Sequence, residues 1–468
     1  MTKIYENMKK TIYLASCLTF LSLFTACKKE DVKPNPTPTT NPTDNGGGSG
    51  PVINYTPEQN KANLQQSGLD AMKEMDDAKN MKVIENLIQF SELIDQNDPM
   101  ENNNTQGLMP IIMVNSLIKF KETSNPEVVY AAMRQTKKLS EADNVEALFD
   151  EIKGIYTWND SEKKWDKTAS ASLIFKFPAT KDKIGNNATY TIDYTPYKGK
   201  VADTELEGNM PAKLTAKLDI DNTNYLTFDF NASYDAEGLP TFISSNLKVE
   251  NFNFKVEMNA SSSDLSSTFS FTHSGKNIVS MGCSFKGNFA KANLESLDKL
   301  YERTEIKDEN GSVIAVQETT NITEDDIKKF VTSMSGYLQV YNVKLATSAD
   351  IEAFVNEIKA KGGFDNIKDE KDQLSLVNKY LLTSVFYTDR NAKIGHGELY
   401  MKTYTDTYTD WSTGVAVEKT ETNEDAGVRI VFEDGSKIDL ETYFESGFDK
   451  IQNEFENFLN SMENNYDL

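Results

Sequence analysis

Between Leu214 and Phe285 the apolar residues keep a period of two. Leu214, Ala216, Leu218 and Ile220 alternate with Thr215, Lys217 and Asp219, and after Asn222-Thr223-Asn224 the pattern resumes at Leu226, Phe228, Phe230, Ala232 and Tyr234. It recurs at Phe252, Phe254, Val256 and Met258, at Phe269 with Phe271, and at Met281, Cys283 and Phe285. A two-residue period is that of a half-buried strand, one side in the core and the other in water. The intervening segments are short and polar, whereas a parallel pair needs a crossover of about a dozen residues or more. The spacing therefore predicts an antiparallel meander within 153–292.

The flanks read differently. Thr56-Pro57-Glu58-Gln59 has the form of a helix start, with Thr as N-cap, Pro in the first turn and Gln three residues on. Leu64, Ala71, Met75 and Ala78 follow at helical spacing, as do Ile84, Leu87, Ile88 and Ser91. Asn125-Pro126-Glu127 opens a pattern to Lys138, and Ser140-Glu141-Ala142-Asp143 opens another before Phe149, so 56–152 is expected to be helical. Residues 293–468 are mixed. Helices are expected over 323–335, 348–361 and 367–381, with hairpin turns at Glu309-Asn310-Gly311-Ser312 and Glu433-Asp434-Gly435-Ser436. Phe444, Phe448, Ile451, Phe455, Leu459 and Met462 make one apolar stripe, read as a C-terminal amphipathic helix covering the sheet, or else binding a partner. The fold class is α+β: an N-terminal helical region, a large antiparallel β-meander sheet with helical insertions, and a C-terminal amphipathic helix.

The start of the chain points to a location. Lys3, Lys9 and Lys10 precede an apolar stretch from Ile12 to Phe24, which ends in Leu21-Ser22-Leu23-Phe24-Thr25-Ala26-Cys27. About a dozen apolar residues fall short of the roughly 18 to 20 that cross a bilayer, and the arrangement suits a cleaved signal. The run resembles the lipobox of bacterial lipoproteins, with Phe24 where the family prefers Leu. The resemblance implies cleavage of 1–26 as a signal peptide, acyl chains such as palmitate on Cys27, and attachment to the membrane through them. Lys28-Lys29-Glu30-Asp31 resembles the export signal of Bacteroidota surface lipoproteins, which implies the outer membrane and the cell exterior, with the periplasmic face as the alternative. The Pro/Thr/Gly-rich segment 27–55, PNPTPTTNPTDNGGGSG with short flanks, is expected to be a flexible tether, its Pro-rich half extended at about 3 Å per residue. Gly154 to Pro178 is also similar to the opening strands of Bacteroidota lipoproteins, a likeness that carries no activity.

The chain has 468 residues and a formal net charge of −23. Loss of Lys3, Lys9, Lys10 and Glu6 takes it to about −25, and an acidic body of this kind repels nucleic acid and anionic membrane surfaces. No nucleic-acid partner is expected. Only Arg134, Arg303, Arg390 and Arg429 could form bidentate anion clamps, and they are scattered. Cys17 leaves with the signal and Cys27 is the lipid site, so Cys283 is a single thiol with no intramolecular disulfide open to it.

Residues suited to chemistry are sparse. His273 lies on the Phe269/Phe271 side of its strand, as a buried or edge histidine would, and His396 stands in Gly395-His396-Gly397. Cys283 shares a side with Met281 and Phe285, where a thiol is inert. There is no Gly-x-Ser-x-Gly elbow, phosphate loop or Gly-x-Gly-x-x-Gly. Asp219-x-Asp221-x-x-Asn224 lacks the glycine and the closing acid of a calcium loop and reads as a hairpin turn. No metal ligand set, cofactor or catalytic residue is assigned. Trp158 and Trp165 flank a polar turn and are expected to be cross-strand partners.

One cluster suits a ligand. If Tyr400 to Trp411 is a strand, Tyr404, Asp406, Tyr408 and Asp410 line one side, with Trp411 next to them. Aromatic rings between carboxylates can stack on sugar rings and bond their hydroxyls; ordinary solvated β-formers would give the same letters. The functional expectation is a lipid-anchored protein with a non-catalytic binding or scaffolding role, its partner a glycan, an apolar ligand or another surface protein. The alternatives are a carrier of an apolar ligand on a curved antiparallel sheet, and a carboxylate-based glycoside hydrolase, which 72 acidic residues leave open.

Overall fold

The computed structural model describes residues 55–97, 99, 145–200, 210–290, 293, 301–307, 313–320, 328–390, 392–410, 417–444 and 448–466. Cys27, Trp411 and the helices expected within 125–144 lie outside them. Among the described residues the chain is α+β: helices accompany a large mixed sheet of sixteen strands, and β11 (Tyr301–Lys307) pairs with β12 (Val313–Thr320) as a hairpin of its own. Two compact units divide the chain. Of the described residues, the first takes those up to Asp70, those within 261–267 and those within 279–452; the second takes those within 71–260, 268–278 and 453–466. No helix among the described residues is long and apolar enough to cross a membrane.

In the second unit the strands are β1 (Gly154–Asn159), β2 (Lys164–Thr168), β3 (Leu173–Phe177), β4 (Ala188–Pro196), β5 (Pro211–Ile220), β6 (Thr223–Tyr234), β7 (Pro240–Val249) and β8 (Phe252–Ala260), with the adjoining parts of β9 (Asp264–His273) and β10 (Lys276–Gly287). From β3 to β8 they pair antiparallel in sequence order. One parallel ladder departs from the expected meander. β1 pairs antiparallel with β2 but parallel with β3, Tyr156 opposite Phe175. The reason lies in β2, where only Trp165 is buried, so the strand is stable only at an edge and β3 returns on the other side of β1. Trp158 and Trp165 do face each other across β1 and β2, with ring centroids 5.3 Å apart. Asp221 (φ 50°) and Asn222 (φ 63°) form the tight turn between β5 and β6, as that hairpin requires.

The core of this unit forms around Phe90, which is fully buried and stacks on Phe177 at 4.6 Å, with Phe175 at 5.1 Å and Trp165 at 6.0 Å. Phe90 belongs to helix α2 (Lys82–Gln96), which follows helix α1 (Pro57–Met75) and precedes α3 (Val145–Ile152). The buried side of α2 is Val83, Leu87, Phe90, Leu93 and Ile94, turned from the expected stripe of Ile84, Leu87, Ile88 and Ser91. A long-range contact replaces a local cap: the Val83 N–H donates to Glu250 Oε1 at 3.0 Å. His273 is 8% exposed, stacks on Phe252 at 4.6 Å, and has Glu74 Oε2 2.9 Å from Nδ1 and Asp77 Oδ2 3.0 Å from Nε2.

The first unit contains β13 (Val331–Val340), β14 (Val343–Asp350), α4 (Ile351–Ala360), α5 (Glu370–Tyr380), β15 (Leu381–Tyr387), β16 (Ala392–Asp410), β17 (Val417–Phe432), β18 (Lys437–Asp439) and α6 (Leu440–Phe444). These strands follow one another antiparallel from β10 to β18. The capping box at the start of α1 forms: the Thr56 N–H donates to Gln59 Oε1 at 2.9 Å and the Gln59 N–H to Thr56 Oγ1 at 3.3 Å. Beside it the buried Tyr387 hydroxyl donates to Asn60 Oδ1 at 3.0 Å, and the Arg390 guanidinium lies 4.1 Å from the Tyr387 ring centroid. Tyr387, Ala392, Ile394, Ile430, Phe432 and Tyr443 make the core at this end.

Two expectations fail in the C-terminal third. Residues 331–335, expected as helix, open β13, because Met334, Leu338 and Val340 find places between Phe285, Met281 and Val279 of β10 and Ala349, Leu345 and Val343 of β14. The single C-terminal stripe also breaks. Phe444 ends α6, helix α7 begins at Asp449 and runs to Tyr466, and burial falls on Phe458 (7% exposed), whereas Phe455 is 43% exposed.

Candidate ligand-binding ribbon

β16 is longer than its neighbour. It pairs with β15 only between Ala392 and His396, yet its ladder with β17 runs from Gly395↔Phe432 to Asp410↔Val417. β17 in turn pairs with β18 only at Arg429, Ile430 and Val431. Beyond these limits, among the described residues, the two strands continue as a two-stranded ribbon. Where β15 stops, α5 supplies a substitute: the Asn378 side-chain amide donates to the Leu399 carbonyl and its oxygen accepts the Leu399 N–H, each at 2.8 Å.

Period two puts Glu398, Tyr400, Lys402, Tyr404, Asp406, Tyr408 and Asp410 at positions on one side of β16. Across the ladder they are opposite Arg429, Gly427, Asp425, Asn423, Glu421, Lys419 and Val417. The expected strand is therefore present, and its patterned side begins two residues before Tyr400. At its root the Arg429 Nε donates to Glu398 Oε2 at 2.8 Å, and Lys437 Nζ donates to the same oxygen at 2.9 Å. The Tyr400 hydroxyl donates to Asp439 Oδ2 at 2.7 Å, with the Arg429 guanidinium 4.6 Å from the ring centroid. Lys402 Nζ reaches Glu441 Oε2 at 2.8 Å and Asp439 Oδ1 at 3.5 Å. Gly427 makes room for this arrangement, since a Cβ there would stand 3.0 Å from the Tyr400 ring and 3.1 Å from the Lys402 Cβ.

Electrostatics fix the root in one ionic form. Burial pushes the Glu398 carboxyl up, but its bonds to Arg429 and Lys437 outweigh that and leave it below its ordinary value. Asp439 is likewise raised by burial and lowered further by the Thr442 N–H, the Tyr400 hydroxyl and Lys402. Burial, then the Asp439 carboxylate, pushes Tyr400 up to about 12. Outward from this root Tyr404 is 42% and Tyr408 39% exposed. Tyr400, Tyr404 and Tyr408 thus recur every four residues, about 13 Å apart along an extended strand. The other side of the ribbon is a threonine array: Thr405 is opposite Thr422, and the Thr407 and Thr420 hydroxyls are 3.2 Å apart.

The remaining candidates lie elsewhere. His396 faces Val431 and Ser384 across its ladders, and burial pushes its imidazole down. Cys283 is half-buried on β10, and burial pushes its thiol up. Asn224 closes the β5–β6 turn by donating to Asp219 Oδ1 at 3.2 Å and to the Leu226 carbonyl at 3.0 Å. Among the described residues no group of three or more His, Cys, Asp or Glu is placed to hold a metal ion. The root residues Glu398, Lys402, Arg429, Lys437 and Asp439 escape the sequence reading because only the register joins them, although Glu398-x-Tyr400-x-Lys402 continues the alternation of Tyr404-x-Asp406-x-Tyr408. No family model matches the chain, and no curated protein matches it.

Proposed function

We propose that this is a non-catalytic binding protein, held to the outer membrane by acyl chains on Cys27 and facing the cell exterior, whose β16–β17 ribbon engages glycans. The observation that carries the reading is the exposure of Tyr404 and Tyr408 on a strand whose root is immobilised by the Glu398–Arg429–Lys437 and Tyr400–Asp439 bonds. Tyrosine rings have few rotatable bonds to order on binding and offer an apolar surface with a polar tip, which suits sugar rings. Neighbouring carboxylates accept hydrogen bonds from sugar hydroxyls. The anchor rests on the lipobox-like run, and palmitate labelling tests it: wild type takes up label and Cys27→Ala does not, while equal labelling contradicts it. Affinity electrophoresis on gels cast with neutral polysaccharides tests the binding, and migration unaffected by every gel contradicts it.

A second reading has its own support. On the first unit's sheet the row Met281, Leu338, Leu345 and Val385 is apolar across four strands, and Leu345 is 37% exposed. As a curved antiparallel meander this sheet would hold an apolar ligand against that row. Native mass spectrometry that finds no co-purified lipid rejects the carrier reading.

A further inference from the structure

The ribbon has edges as well as faces, and those edges are the less finished part. β17 pairs along one side with β16 from Val417 to Phe432, but along the other only Arg429–Val431 meet a strand, β18. Among the described residues, the backbone groups of 417–426 that point away from β16 have no strand partner. An antiparallel strand turns the N–H and C=O of alternate residues outward; the Ala426 N–H donates to Asp425 Oδ1 at 2.7 Å, which leaves about four residues of this stretch presenting both a donor and an acceptor. A two-stranded ribbon is marginal in water unless a further strand or an apolar face supports it. Here Tyr404, Tyr408 and Val428 are all more than a third exposed, so apolar burial supports this ribbon little.

We propose that the open edge of β17, residues 417–426, is a docking site for an extended, basic peptide segment of a partner protein, which adds as a third strand. The chemistry of the partner follows from the charge. Residues 417–426 carry Glu418, Glu421, Glu424 and Asp425 against Lys419, with Lys371 Nζ of α5 3.7 Å from Glu424 Oε1 and Arg429 further along β17, and β16 adds Asp406 and Asp410. Alternation puts Glu418 and Glu424 on the threonine side and Glu421 and Asp425 on the tyrosine side, so an added strand meets acids on both sides. A second copy of this edge would set acid against acid, and like charges directly opposite are destabilising. Nucleic acid and anionic lipid are repelled for the same reason. A strand bearing lysine or arginine gains both the main-chain ladder and the opposite charge. The main-chain edge of β17 is distinct from the exposed rings of Tyr404 and Tyr408, and the added ladder does not need them.

The test uses the full chain and three synthetic ten-residue peptides: alternating threonine and lysine, the same with glutamate for lysine, and the lysine peptide N-methylated at alternate residues. The lysine peptide is expected to bind and to slow hydrogen exchange at 417–426, with the glutamate and N-methylated peptides more than about tenfold weaker. Glu418→Lys, Glu421→Lys and Glu424→Lys together are expected to reverse the preference between lysine and glutamate peptides. Equal binding of the N-methylated peptide would show charge attraction without strand addition and overturn the proposal. So would protection elsewhere, failure of the lysine peptide to bind, or amides at 417–426 that already exchange as slowly as those of 429–432 in the free protein.

Discussion

The Asn378 side chain completes the backbone hydrogen bonding of Leu399, one bond donated and one accepted at 2.8 Å, at the point where β16 loses β15 as a neighbour. An amide side chain is thus acting as the last residue of a missing strand. Asn378→Ala leaves the Leu399 N–H and C=O without these partners, at a cost of about 1–3 kcal/mol. Hydrogen exchange should speed up at 398–401 and remain slow at 392–396, where β15 still pairs. Asn378→Asp keeps the acceptor but sets a carboxylate against the Leu399 carbonyl, so it should recover no more than part of the loss in urea unfolding.

Gly427 and Tyr400 make the second prediction. With a Cβ placed 3.0 Å from the ring, Gly427→Ala forces Tyr400 to shift by a few tenths of an ångström against Arg429 and Asp439. Overpacking of this kind costs about 1–3 kcal/mol. Tyr400→Phe, which removes only the hydroxyl, should cost about 0.5–1.5 kcal/mol. Thermal unfolding should rank the two variants in that order, and a neutral Gly427→Ala would contradict the packing of the root.

Acid should unfasten the root. Glu398 and Asp439 both sit below their ordinary values of 4.5 and 3.8, so the unfolded chain binds more protons than the folded one as the pH falls. Their stabilisation is complete above about pH 4.5 and is lost as the pH falls through the folded values. Glu398→Gln should therefore destabilise at pH 7 by about 1–3 kcal/mol and approach wild type in urea titrations as the pH falls through the folded value of Glu398. His396 acts over a higher window. Its imidazole is pushed down from 6.5 by burial, so stability that is full above about pH 6.5 declines as the pH drops through its folded value. His396→Asn should remove that upper slope and leave the carboxylate slope unchanged.

Short-range patterns were the legible part of the sequence. The alternation of Leu214 to Ile220 and Leu226 to Tyr234 corresponds to β5 and β6, the Thr56–Gln59 box caps α1, and the positive φ of Gly435 (82°) closes the β17–β18 turn. What depends on distant partners was not legible. Val331–Val340 follows a helix-favouring run, and only pairing with β10 and β14 decides for a strand. The parallel β1–β3 ladder arises because β2 is too polar to be buried, a choice between edges that no local signal records. Glu398, Arg429 and Lys437 are separated by up to 39 residues and meet only through the β16–β17–β18 register.

The most direct measurement is the migration of full-length wild type and of the Tyr404→Ala, Tyr408→Ala double variant through native gels cast with neutral polysaccharide. Both side chains are about two-fifths exposed, so the double variant should keep the wild-type unfolding transition. Wild type should be retarded by at least one polysaccharide, and the double variant should migrate there as it does in a plain gel. A double variant retained as strongly as wild type would show that the ribbon's tyrosines do not hold the ligand.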